Sequence, residues 1–145
     1  AVFPPGRIPM SETTRRDFLK TTALVGGGLL AADLIAAVDD GLYVVGDKSW
    51  SIDQQRYNFQ FTAQRFYRIR NGRLAGQVQN AASRGRTPDF WGSLDGLGDA
   101  STWVLGGAAN CGKAQPGQVA AVSHGAPTTL FRQINVLNTT AEGRR

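Results

Sequence analysis

Hydrophobic and polar positions change rhythm along the chain, and the change divides it. TTALVGGGLLAADLIAAV, from Thr21 to Val38, is apolar, interrupted by glycine and helix-like. From Asp39 the apolar runs shorten and end in turn residues, as GLYVVGD does at Gly46–Asp47. Tyr57, Phe59, Phe61 and Ala63 then alternate with Asn58, Gln60 and Thr62. A period of two is the mark of a strand with one buried face. Tyr67 and Ile69 keep that parity while Phe66 breaks it, which predicts a bulge. Asn71–Gly72 predicts a tight hairpin, because both central residues of a type I′ turn need positive φ. Leu74, Gly76 and Val78 form the return strand. Thr87–Pro88 reads as the N-cap and first residue of a short helix. STWVLGG, GQVAAVSHG and TTLFRQINVLNT predict three more strands, the last two parted by a turn at Gly125–Ala126–Pro127. The expected class is mainly β within the α+β group. It is a sheet or barrel-like domain with one short helix, preceded by an N-terminal signal helix.

These patterns give four segments. Residues 1–9, AVFPPGRIP, are proline-rich without periodicity and are expected to be extended or disordered. Residues 10–38 hold Thr14, Arg15, Arg16, Asp17, Phe18, Leu19 and Lys20 in the order of a twin-arginine export motif, followed by the apolar run. The motif predicts recognition by the twin-arginine translocase and delivery to the periplasm or cell envelope; without it the chain is expected in the cytoplasm. Gly26–Gly28 and Asp33 break the run, so a stable membrane span is not expected. No clean small-x-small cleavage site follows. Residues 39–139 carry the β pattern, and residues 140–145 are expected to fray.

A chain of 145 residues suffices for one domain with a core. Its 18 glycines fit turns and close strand packing rather than a helical bundle. A formal charge of +5 permits an anionic partner without demanding one.

The candidate chemistry centres on Cys111, the single cysteine, in GGAANCGKAQPGQ. One cysteine makes no internal disulfide. Its neighbours are small and polar, so a buried apolar role and a metal-ligand role both stand at this point. His124, the single histidine, follows about a dozen residues later and matches no compact zinc signature; its ordinary reading is a turn residue. H-E-x-x-H is absent. No G-x-S-x-G elbow supports a triad through Ser123 and His124. Gly107 to Lys113 nearly meets the phosphate-loop spacing, but Ala114 stands where a magnesium-binding hydroxyl belongs. Asp39, Asp40, Asp47 and Asp53 do not have EF-hand spacing and read as turn residues. Arg65, Arg68, Arg70 and Arg73 interleave with Phe66, Tyr67 and Ile69. Such a hairpin suits either an anion or partner-binding β module or, preferably, a strand face kept soluble by charge. Nucleic acid is not the favoured partner.

Beyond these readings, DDGLYVVGDKSWSID, RYNFQF, FYRIRNGRLAG, DFWGSL and NCGKAQPGQVAAVSHGAPT resemble the C-terminal domain of the TldD/PmbA zinc metallopeptidases, over about Asp33 to Thr139. The resemblance implies a β-rich domain and a zinc ion. The ion is held by two histidines of an H-E-x-x-x-H helix and by the cysteine of a C-G-K loop. It also implies peptide substrates and paired subunits, as a dimer or heterodimer. Carried over residue by residue, only Cys111 matches a ligand, and no catalytic residue is assigned. The H-E-x-x-x-H helix is missing from the sequence. The expected reading is therefore the cysteine-ligand segment of a zinc metallopeptidase, inactive as this truncated chain.

Overall fold

The computed structural model describes residues 14–21, 29–113 and 115–142. The expected disordered start, residues 1–9, lies outside them. A nine-stranded sheet runs in the order β3-β4-β7-β11-β1-β2-β5-β6, with β8 also paired to β11. Its strands are β1 (Thr14–Thr21), β2 (Asp40–Val45), β3 (Trp50–Ile52), β4 (Asn58–Phe61), β5 (Arg65–Arg70), β6 (Arg73–Val78), β7 (Ala81–Arg86), β8 (Leu94–Leu97) and β11 (Thr128–Asn138). A separate two-stranded ribbon joins β9 (Val104–Lys113) to β10 (Gln118–Ala126). The mainly β class is observed.

Residues 22–28 of the apolar run expected to be helical lie outside the described residues. Thr14–Thr21, which holds Arg15, Arg16, Phe18, Leu19 and Lys20, is a strand, parallel to β2 and antiparallel to β11. Parallel neighbours need a crossover rather than a hairpin. Within that crossover lies α1 (Ala31–Ala36). The Asp33 carboxylate accepts from the Leu30 backbone N–H at the start of α1.

The two faces of the sheet have separate cores. On one, Leu34 of α1 and Val38 pack with Ile69 and Leu130, edged by Ile35 and Tyr43. On the other, Leu42, Val44, Phe59, Phe66, Phe90, Phe131, Ile134 and Val136 form the larger cluster. Phe90 comes from α2 (Thr87–Gly92) and stacks on Phe131 with ring centroids 4.0 Å apart. Each fully buried side chain of this size contributes roughly 1.5–3 kcal/mol.

Three local expectations shift. The alternation from Tyr57 to Ile69 is two strands, parted at Thr62–Gln64. β4 pairs with β7 and β5 pairs with β2, toward opposite ends of the sheet. The irregular step lies at Arg68, two residues past Phe66, and its extra residue is on β6: Arg68 alone opposes Ala75–Gly76. The N-cap of α2 is Arg86, one residue before Thr87. The terminal tail, expected to fray, begins as the helical turn α3 (Thr139–Glu142). Asn71 and Gly72 do sit at positive φ, 48° and 70°, as the hairpin required.

Candidate functional site

Cys111 lies in a paired strand, not a loop. It faces Ala120 across the ribbon, with Gly112 opposite Val119. Between the pairs Ala108↔Val122 and Cys111↔Ala120, Ala109 and Asn110 on β9 oppose Ala121 alone on β10. That is a β-bulge, which bends a strand and re-aims the side chains beyond it. Small residues make the ribbon possible: a Cβ on Gly107 would stand 2.8 Å from the Val122 carbonyl oxygen.

The base of the ribbon is anchored firmly. Asp99 accepts hydrogen bonds from the Ser101 backbone N–H and hydroxyl, at 2.9 and 2.5 Å, which starts the turn Ala100–Thr102. The Ser101 hydroxyl bond, first among the causes, holds the Asp99 carboxyl below its ordinary value. The Thr102 hydroxyl donates to the Asp99 carbonyl and accepts from the Thr128 N–H. Trp103 lies so closely on Gly125 that a Cβ there would collide with its ring. Sequence reasoning missed Trp103 and Gly125; their signal was only a tryptophan before a strand and a glycine after His124.

Away from this base the ribbon is bare. Cys111 is exposed, as are His124, Val104, Leu105 and Val119. Leu105 and Val119 each keep 69% of their surface open. His124 faces Gly106, four residues along β10 from the partner of Cys111. That separation is on the order of 13 Å along a strand. Zinc–sulfur and zinc–nitrogen bonds are only about 2.0–2.3 Å long, so the ribbon does not bring the two together as ligands. Among the described residues no group of three His, Cys, Asp or Glu side chains is placed to hold a metal. The chain's own donors at this point amount to one thiol and do not fit a complete zinc site. A groove of about 1050 Å³ lies elsewhere, lined by Ile52, Phe59, Arg84, Phe90 and Ile134 among others, and includes neither Cys111 nor His124.

The arginine hairpin resolves differently from a binding face. Arg68 is buried. Its Nη2 donates to Asp40 Oδ2 at 2.6 Å, while Nε and Nη1 find no acceptor. Arg65, Arg70 and Arg73 stay exposed, with Arg70 opposite Arg73 beside the turn. Of the aspartates read as turn residues, Asp53 does bind turn backbone. Asp53 accepts from the N–H groups of Tyr57 and Asn58 and from Asn58 Nδ2. Its carboxyl is held below its ordinary value, by the Asn58 side chain first.

Comparison with known proteins agrees with this architecture. A metalloprotease of Methanothermobacter thermautotrophicus is 31% identical over 118 residues, covering 81% of this chain and 25% of that protein. A metalloprotease of Archaeoglobus fulgidus is 33% identical over 100 residues, covering 69% of this chain and 22% of that protein. The chain thus spans about a quarter of the length of these relatives. The crystal structure of TldE from Thermococcus kodakarensis superposes with a TM-score of 0.52 at 16% identity, over 77% of this chain and 22% of that one. The family pattern described as the PmbA/TldA metallopeptidase C-terminal domain matches residues 17–138, reaching further upstream than the Asp33 from which the resemblance was drawn. Through that match, which covers the sheet from within β1 to the end of β11, the chain belongs to the PmbA/TldA metallopeptidase C-terminal domain family.

Proposed function

We propose that the chain is the cysteine-ligand segment of a zinc metallopeptidase acting on peptides, with Cys111 as its single contribution to the metal. The carrying observation is the placement of that residue: exposed, just past a bulge, on a ribbon that stands off the sheet. A bound divalent ion supplies Lewis-acid and water-activating chemistry in such peptidases. In this chain Cys111 offers one donor, toward the end of the ribbon away from its anchored base. The family resemblance puts the other ligands and the general base on an H-E-x-x-x-H helix that these 145 residues do not contain. Alone, the chain is inactive.

Zinc titration against a chromophoric chelator tests this. The chain should bind zinc weakly, Cys111→Ser should abolish that binding, and peptide hydrolysis should be absent. Tight stoichiometric zinc requiring both Cys111 and His124 would sink the proposal.

A second proposal concerns address. The order Thr14-Arg15-Arg16-Asp17-Phe18-Leu19-Lys20 supports export by the twin-arginine translocase to the periplasm or cell envelope. Substituting lysine for both Arg15 and Arg16 should stop export of the chain; unchanged export would remove this reading.

A further inference from the structure

Strand β11 changes partner partway along, and a groove opens at the change. It pairs with β8 through Thr129–Phe131 and with β7 through Asn135–Asn138. Between those ladders Arg132 and Gln133 together oppose Asp17 of β1, and Gln133 sits at φ 55°. That is a bulge on β11, a place where a strand bends. α2 joins β7 to β8 beside the same gap, where the Arg132 N–H donates to the Ser93 carbonyl. The groove of about 1050 Å³ takes its lining from both sides of this split.

Strand register lays a polar row along it. Ser51, Gln60, Arg84 and Asn135 stand opposite one another across β3, β4, β7 and β11, and all four line the groove. Arg86 follows Arg84 two positions along β7, and both are exposed. Arg132 lines the groove from β11. The two carboxylates in the lining are already engaged. Asp89 accepts from Arg86 Nε at 2.7 Å, and Asp53 accepts from the N–H groups of Tyr57 and Asn58. Arg86 uses Nε on Asp89 and Nη1 on the Tyr57 hydroxyl, which does not exhaust the five N–H donors of a guanidinium.

We infer that this groove binds an extended acidic peptide segment, with Arg84 and Arg86 pairing carboxylates at alternate positions of that segment. Side chains two residues apart on a strand stand about 7 Å apart, and the same interval separates alternate side chains of an extended peptide. Two carboxylates so spaced meet two guanidiniums in register. The amides of Gln60 and Asn135, flanking Arg84, both donate and accept, as a peptide backbone requires. A single-stranded nucleic acid would bring anionic groups too, but it relies on aromatic faces for its bases. The aromatic rings in the lining, Phe59 and Phe90, are buried. A formal charge of +5 on the chain favours approach of an anionic segment. The inference stands apart from the zinc reading, and its test involves neither metal nor hydrolysis.

Fluorescence anisotropy on the full chain in dilute buffer tests it with four labelled probes. They are a peptide with glutamate at every second position, one with the same glutamates side by side, one with glutamine in their place, and a single-stranded oligothymidylate. The variants are Arg84→Gln combined with Arg86→Gln, Gln60→Glu, and Arg73→Gln on the β5–β6 hairpin as a distant control. Gln60→Glu sets a carboxylate opposite Arg84 without removing an arginine, so it carries the test even where the double variant misfolds; circular dichroism checks both. The alternating glutamate peptide should bind about tenfold tighter or more than the glutamine peptide, and added salt should erode that preference. It should also bind more tightly than the peptide with adjacent glutamates. The double arginine change should weaken it about tenfold or more, and Gln60→Glu about threefold or more, with Arg73→Gln near native. Equal binding of the glutamate and glutamine peptides overturns the inference. So does equal binding of the alternating and adjacent glutamates, because register would then play no part. Binding unmoved by the groove changes, or weakened as much by Arg73→Gln, overturns the site, and tighter binding of the oligothymidylate overturns the ligand class.

Discussion

The hairpin β5–β6 and the ribbon β9–β10 both carry residues that invite a binding role, and the fold treats them in opposite ways. β5–β6 is absorbed into the sheet: Arg68 points to Asp40, and Asn71 and Gly72 donate backbone bonds to the carbonyls of Asp39 and Val38. β9–β10 pairs only within itself and exposes Cys111. An isolated two-stranded ribbon is marginal in water, and this one depends on its anchored base. Chemistry at Arg68 is consumed by the domain that holds it. Chemistry at Cys111 is left for something else to use. Clustered charge in the sequence thus did not mark a shared face: the fold buries Arg68 and leaves Arg65, Arg70 and Arg73 exposed.

The largest effect that would break this contrast is at the arginine hairpin. Asp40→Asn should destabilise the domain by roughly 3 kcal/mol, because it strands a buried guanidinium. Arg68→Met should cost far less, within about 1 kcal/mol of the native chain, since it removes the charge together with its unmatched donors. Urea denaturation of both variants checks the pair, and an Asp40→Asn domain as stable as the native one would mean that Arg68 is not held structurally.

Next comes the ribbon base. Gly125→Ala would drive a methyl group into the Trp103 ring and should cost about 1–3 kcal/mol. The tryptophan fluorescence spectrum should shift with it. An unchanged spectrum and stability would show that the ribbon is not anchored there.

Cys111→Ser should leave stability within about 0.5 kcal/mol, as expected of an exposed position outside the core. A thermal melt that moved with this change would place the thiol in the folding architecture instead of the site.

The smallest effect is pH-dependent. Asp53 and Asp99 have carboxyls held below their ordinary values by hydrogen bonds. A depressed carboxyl contributes stability that is present above its unfolded pKa and lost as pH falls through its folded one. The domain should therefore weaken slightly on acidification below about pH 4. Asp53→Asn should flatten that slope in acid titration of the folded fraction.

Much of the fold was legible because its causes are local. Alternation at Tyr57–Phe61, the Asn71–Gly72 turn and the Thr87–Pro88 helix start depend on neighbours within a few residues, and they appear in the structure within a residue or so. Cys111 was legible as an unusual thiol for the same reason. The wider errors all involve distant partners. The parity from Tyr57 to Ile69 concealed a change of neighbours from β7 to β2, since a period of two is blind to which strand stands alongside. Gln115, at φ 55°, belongs to a connection between β9 and β10 so short that the supposed cysteine loop is mostly paired strand.

Thr14–Thr21 makes the point most sharply. By its own residues it suits a motif followed by an apolar helix, and that local reading stays consistent as far as it goes. Its place between β2 and β11 follows from ladders formed with residues more than twenty and more than a hundred positions away. Helix and turn preferences are energies of adjacent groups, and so they are written along the chain. Sheet order is an energy of groups brought together by closing long loops, and only the assembled core selects it.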